Sequence, residues 1–120
     1  MVDGSNNIYI TASTNSTNFP STNCSSCSKA GGQDAVVFKL NAAGTSLMWS
    51  NYYGSTSDDA GYSLKFHNGA VFVTGGTVGN NLPSTSGGYK STFGGNHDGY
   101  VAKFDASTGA LQQSTYLGTS

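Results

Sequence analysis

The stretch that decides the fold runs from Tyr62 to Thr77, YSLKFHNGAVFVTGGT. Two runs of alternating, β-branched and aromatic residues, YSLKFH and AVFVTGGT, flank Asn68-Gly69. Asn and Gly both tolerate positive φ, which a type I′ turn demands at its two central residues, and that turn's twist matches the twist of paired strands. The segment therefore predicts a β-hairpin of Tyr62–His67 and Ala70–Thr77. Downstream, a long loop from Val78 to His97 leads to a third predicted strand, Asp98–Asp105 (DGYVAKFD), and a fourth, Ala110–Gly118 (ALQQSTYLG), joined across Ala106–Gly109.

Upstream, most of this unit occurs a second time. IYITASTNSTNFPST, Ile8 to Thr22, reappears as VFVTGGTVGNNLPST, Val71 to Thr85, at an offset of 63. GGQDAVVFKLNAAGTSLMWSNYYGS, Gly31 to Ser55, returns as GGNHDGYVAKFDASTGALQQSTYLGT, Gly94 to Thr119, with a slip of one or two residues in the loops. The first copy predicts only three strands, Asn7–Thr14, Asp34–Asn41 and Ser46–Gly54, and has no counterpart of Tyr62–His67. A long period built from sequential antiparallel strands is the pattern of a β-propeller blade. The chain thus divides into a first repeat at 1–56 and a second at 57–120.

The apolar pattern agrees with an all-β fold of two four-stranded-type antiparallel blades, the first lacking one strand. Ile8 and Ile10 share one face of their strand, as do Val71 and Val73, while Tyr9 and Phe72 make the opposite face apolar too. Strands apolar on both faces suit sheets packed between other sheets. A seven-stranded β-sandwich is the structural alternative. Repeat proteins gain stability from stacked neighbours, so copies of the chain or adjacent blades are the expected partners. Met1 stands directly before VDGSNNIYI, inside the repeat, so a piece of a longer parent is expected, with the missing strand supplied from elsewhere.

Composition sets the outer limits. The 120 residues contain no Glu and no Arg, and Gly, Ser, Thr and Asn make up close to half of them. Strong helix formers are scarce and turn formers abound, which argues against a helical protein. A net charge of −1 without a lysine cluster argues against nucleic acid, whose phosphates must be neutralised. No apolar run reaches the roughly 18–20 residues that span a bilayer, so no membrane insertion is expected.

With these motifs in hand, the chain resembles the bacterial β-propeller repeat family SBBP, a relative of NHL-type propeller repeats. The matching stretches are VDGSNNIYITAST with NFPST, GGQDAVVFKLNAAGTSLMWSNYYGS, DDAGYSLKF, AVFVTGGT, LPST, GGNHDGYVAKFDASTG and STYLGT. The resemblance implies a secreted or cell-surface bacterial protein in which the repeats serve as scaffolding or binding modules, within a closed ring of blades. It brings no general catalytic motif.

Several residues invite chemistry. Cys24-Ser-Ser-Cys27 can be a loop disulfide, a pair of free thiols or half a metal site. Redox pairs sit at helix N-termini, and zinc needs two further ligands, which His67 and His97 do not supply at suitable spacing. A disulfide fits an oxidising setting. Asp34 and Asp98 each follow a Gly-Gly motif at the start of the third strand and read as acceptors for backbone N–H groups. Asp58 and Asp59 read as turn caps between the repeats; a calcium site is the alternative, although no spaced series of acids is present. No cofactor is expected.

Tyr89 and Phe93 in the long loop, with Trp49, are the candidates for a sugar-stacking surface, since variable function sits in loops. Trp49 is included because its counterpart is Gln113, so the repeat does not demand it. Neither a nucleophile elbow nor a phosphate loop appears, and the chain is not expected to be an enzyme. The sequence supports a structural or interaction module that self-assembles through strand sharing at the chain ends. A glycan-binding propeller and a subunit of an extracellular filament are the alternatives.

Overall fold

Among the described residues seven strands form, in the order β1 (Ile8–Thr14), β2 (Asp34–Leu40), β3 (Leu47–Tyr53), β4 (Asp59–His67), β5 (Ala70–Thr77), β6 (Asp98–Asp105) and β7 (Leu111–Tyr116). The computed structural model describes residues 1–24 and 26–118. The strands make two antiparallel sheets, β1-β2-β3 and β4-β5-β6-β7, each a meander of sequential neighbours. The break between sheets falls between Tyr53 and Asp59.

The hairpin forms as its turn chemistry requires: Asn68 and Gly69 have φ of 48° and 76°. β4 nevertheless begins three residues before the expected Tyr62. Its register with β5 shifts between Gly61 and Ser63, a bulge that lets Asp59, Ala60 and Gly61 pair with Thr77, Gly76 and Gly75. Gly75 is required there. A Cβ on it would stand 1.9 Å from the Ala60 carbonyl oxygen and 2.6 Å from the Tyr100 hydroxyl. The Tyr100 ring crosses β5 at this bare position, and its hydroxyl donates to the Ala60 carbonyl at 2.9 Å.

The core lies between the two sheets. From the first sheet Tyr9, Ala35, Val37, Trp49 and Tyr53 point inward, and from the second Val71, Val73, Tyr100, Ala102, Phe104 and Tyr116. Ring contacts cross the gap: Tyr53 to Tyr100 at 4.9 Å, Tyr53 to Phe104 at 5.9 Å and Tyr9 to Phe66 at 5.5 Å between centroids. Successive strand residues alternate between faces, so the repeat alignment tells which face each sheet presents. Tyr9, Val37, Lys39 and Trp49 correspond to Phe72, Val101, Lys103 and Gln113, and these counterparts lie on the far side of the second sheet. Tyr52, the counterpart of core residue Tyr116, lies on the far side of the first sheet against Phe19. Opposite faces of the repeating unit therefore meet, head to tail. A two-fold sandwich of duplicated sheets would bring the same face together.

Each long loop wraps the free edge of the last strand of its sheet. Ser50 and Tyr52 on β3 donate their N–H groups to the carbonyls of Thr22 and Ser26, both at 3.0 Å. Ser114 and Tyr116 on β7 donate to Ser84 and Lys90, both at 2.9 Å. The tyrosine hydroxyls anchor the loops in the same manner twice. Tyr52 donates to the Ser16 carbonyl at 2.9 Å and accepts from the Phe19 N–H at 3.0 Å. Tyr116 donates to the Gly79 carbonyl at 3.2 Å and accepts from the Leu82 N–H at 3.0 Å. These are the same loop positions one repeat apart.

Candidate functional site

At one end of the sheets the start of β4, the end of β5 and the start of β6 converge beside Gln33. They line an open cleft of about 520 Å³, bordered among others by Gln33, Asp58, Tyr62, Thr77, His97 and Asp98. Gly75, Gly76 and Gly99 line it as well and leave it room. Tyr62 is exposed and stands as an aromatic wall.

The carboxylates at this end hold the backbone. Asp34 is fully buried and accepts the N–H groups of Ala30 at 2.8 Å and Gly31 at 3.1 Å. Its counterpart Asp98 accepts the Gly94 N–H at 2.6 Å through Oδ2. Asp58 accepts the Gln33 N–H at 2.9 Å. Asp59 was expected in a turn; it is instead the first residue of β4 and only 1 % exposed. It can start a buried strand because the Ser55 N–H and hydroxyl donate to its Oδ2 at 2.7 and 2.9 Å, while its own N–H donates to the Gln33 carbonyl at 2.7 Å. Asp58 and Asp59 thus tie the connection between the sheets to the loop before β2.

Burial lifts the Asp59 carboxyl above the usual carboxylate range, opposed by hydrogen bonds from Thr77 and Ser55. The folded chain then binds this proton more tightly than the unfolded chain does. Stability falls as pH rises from about 3.8 through the folded pKa. Asp105 behaves oppositely: the Ser107 hydroxyl and the Thr108 and Ser107 N–H groups hold it at about 2, so its contribution is present above about 3.8 and is lost as pH falls through 2. Asp3 titrates in the same low window; burial pushes it up, but bonds from Tyr9, Asn7 and Ser5 outweigh that and hold it at about 2. Urea midpoints measured across pH 4–7 should fall with rising pH in the parent and flatten in Asp59→Asn. Parallel profiles would show that Asp59 does not titrate in this way.

The remaining expected site residues scatter. Cys24 and Cys27 are joined by a disulfide. Tyr89 is 91 % exposed at the tip of the 78–97 loop. Phe93, in the same loop, is half-buried and lies 5.9 Å from the Tyr116 ring. Trp49 belongs to no binding loop: it stands in β3, 1 % exposed, between Tyr9 and Gly109. Its indole is closed over by the second sheet, and its Nε1 donates to the Ala106 carbonyl at 3.0 Å. Among the described residues no group of three or more His, Cys or Asp side chains is arranged to hold a metal.

Sequence reasoning missed Lys39. This lysine points into the gap between sheets, 7 % exposed, with Nζ 5.1 Å above the Tyr9 ring and donating to the Ala106 carbonyl at 3.2 Å. Tyr9 hydroxyl reaches the same oxygen at 3.4 Å. One carbonyl thus gathers two donors, Lys39 and Trp49, beside a Tyr9 hydroxyl that gives its hydrogen to Asp3 at 2.9 Å. The recurrence of Lys39 as Lys103 was the available signal, but a lone strand lysine ordinarily faces water.

Two antiparallel sheets, related head to tail by an internal repeat, make an all-β fold consistent with partial propeller blades. Residues 1–20, the segment leading into and through β1, match the family model SBBP, described as a beta-propeller repeat. No curated protein matches the sequence.

Proposed function

We propose that the chain is a non-enzymatic structural and interaction module of a secreted or surface-exposed bacterial propeller protein, which self-assembles by accepting a further strand on β1. The observation that carries this reading is the contrast between equivalent strands. β5 pairs along its whole length with β4. Among the described residues β1 is paired on that side only at its start, by the Val2–Ile8 bridge and the Tyr9 N–H to the Met1 carbonyl at 2.8 Å. The backbone groups of Thr11 and Ser13 face the same way as those of Tyr9, and among the described residues none of them has a backbone partner. Such an edge is a template for another strand. The Cys24–Cys27 disulfide supports an oxidising compartment. The exposed Tyr89 ring supports a second reading, a glycan-binding propeller, in which Tyr89→Ala abolishes binding on a glycan array.

Light scattering tests the first reading. The expected mass is a multiple of 12.3 kDa. Ser13→Pro removes an outward N–H without touching the β2 ladder and should lower that mass, whereas Ser13→Ala, which loses only the 3.3 Å bond from the Gly61 N–H, should not. A single 12.3 kDa species at every concentration would overturn the reading.

A further inference from the structure

The contact between the two sheets is a pattern for a contact between two chains. It joins one face of the repeating unit to the opposite face of the next, and each face also occurs once without a partner. On the second sheet the unpartnered face repeats the residues that are buried on the first. Lys103 Nζ lies 5.9 Å over Phe72, as Lys39 Nζ lies over Tyr9. Leu117, the counterpart of Tyr53, is 52 % exposed where Tyr53 is 2 %. Val101, the counterpart of fully buried Val37, is half-buried. On the first sheet the face turned away from the second carries Ile8, Ile10, Phe38 and Leu40, all half-buried, with the loop residue Phe19 5.4 Å from the Phe38 ring as Leu82 lies in the core one repeat on. In the second repeat the matching positions, Val71, Val73, Ala102 and Phe104, are sealed in the core.

We infer that a second copy of this chain docks the Ile10–Phe38 face of its first sheet on the Phe72–Lys103–Leu117 face of the second sheet, with Lys103 Nζ donating to the partner's Ala42 carbonyl. Ala42 is the counterpart of Ala106 in the sequence alignment, LNAA against FDAS, and it is exposed in the turn between β2 and β3. The occupant is a copy of the chain because the chain itself carries both halves of the contact and shows how they fit. The lysine explains the orientation: desolvated in the contact, it must find an acceptor, and the turn carbonyl is the group that meets Lys39 within one chain. A heterologous contact of this kind closes into a ring or runs on as a filament. This deepens the self-assembly reading but uses the sheet faces, whereas that reading rests on the β1 edge.

The test follows the assembly constant by light scattering and sedimentation. Leu117→Asp and Lys103→Glu should each weaken association at least tenfold, with Lys103→Gln intermediate, while Asn80→Asp on an exposed loop leaves it unchanged. Trp49 fluorescence, a reporter of the internal contact, should stay the same in all of them and so exclude misfolding. Mixed Lys103→Cys and Ala42→Cys chains, treated with a short bismaleimide, should give a cross-linked dimer that neither chain forms alone. Assembly that survives both face substitutions, with no mixed dimer, overturns this inference and leaves the edge reading standing. A chain that stays monomeric overturns both.

Discussion

Trp49→Ala should cost about 3–5 kcal/mol of unfolding free energy, the range for removing a fully buried large aromatic side chain. The indole fills the space between β3 and the β6–β7 turn, where Gly109 adopts a φ of 78° and leaves no room for a Cβ: one there would stand 2.7 Å from Trp49 Cδ2. Total stabilities of single domains are roughly 5–15 kcal/mol, so the variant should unfold at a far lower urea midpoint by circular dichroism. Trp49→Phe separates the ring from its N–H. The Ala106 carbonyl keeps Lys39 as a donor, so the loss should come mainly from reduced packing and be clearly smaller. A Trp49→Ala cost under about 1 kcal/mol would be incompatible with a residue at the centre of the contact between sheets.

Tyr116→Phe carries the second large effect. The ring stays, but a buried hydroxyl that serves both the Gly79 carbonyl and the Leu82 N–H disappears. A buried backbone group left without a partner costs about 1–3 kcal/mol; the Leu82 N–H loses its partner outright, while the Gly79 carbonyl keeps a long 3.5 Å bond from the Thr77 hydroxyl, so roughly 1–3 kcal/mol is expected. Tyr52→Phe breaks the equivalent bonds to Ser16 and Phe19, where the loop residues are more exposed and water can replace the hydroxyl. Its cost should be smaller. Hydrogen exchange reads the distinction directly: Tyr116→Phe should release protection at Leu82, and Tyr52→Phe at Phe19. Equal costs with no local change in exchange would show that the hydroxyls do not hold the loops.

The hairpin was legible because Asn68-Gly69 is a local signal: the residues that make the turn are adjacent in the chain. The ends of β5 and β6 were legible for the same reason, being set by the flanking turns. The start of β4 was not, since a run opening on Asp-Asp-Ala-Gly lacks strand character, and it is the distant Gln33 and Thr77 with the nearby Ser55 that make Asp59 tolerable there. Trp49 illustrates a subtler failure. Its counterpart Gln113 suggested a position free of structural demand, but the two copies differ because one face of the unit is covered within the chain and the other is not. Indole suits the covered site and an amide the open one. The alignment compared residues without knowing which faces were paired. Tyr52 and Tyr116 were legible as packing, yet the loop-anchoring role of their hydroxyls was not, because phenylalanine would have fitted the same apolar pattern.

The wrapping of β3 and β7 by their own loops has a consequence for solubility. Sheets whose two borders are both bare can add strands on either side and elongate without limit, the route to cross-β fibres. Here Thr22 and Ser26 occupy one border of the first sheet, and Ser84 and Lys90 one border of the second. Lateral growth is thereby confined to the opposite border of each sheet. A chain this rich in β-structure and this poor in charge therefore offers cross-β growth one border of each sheet and not two.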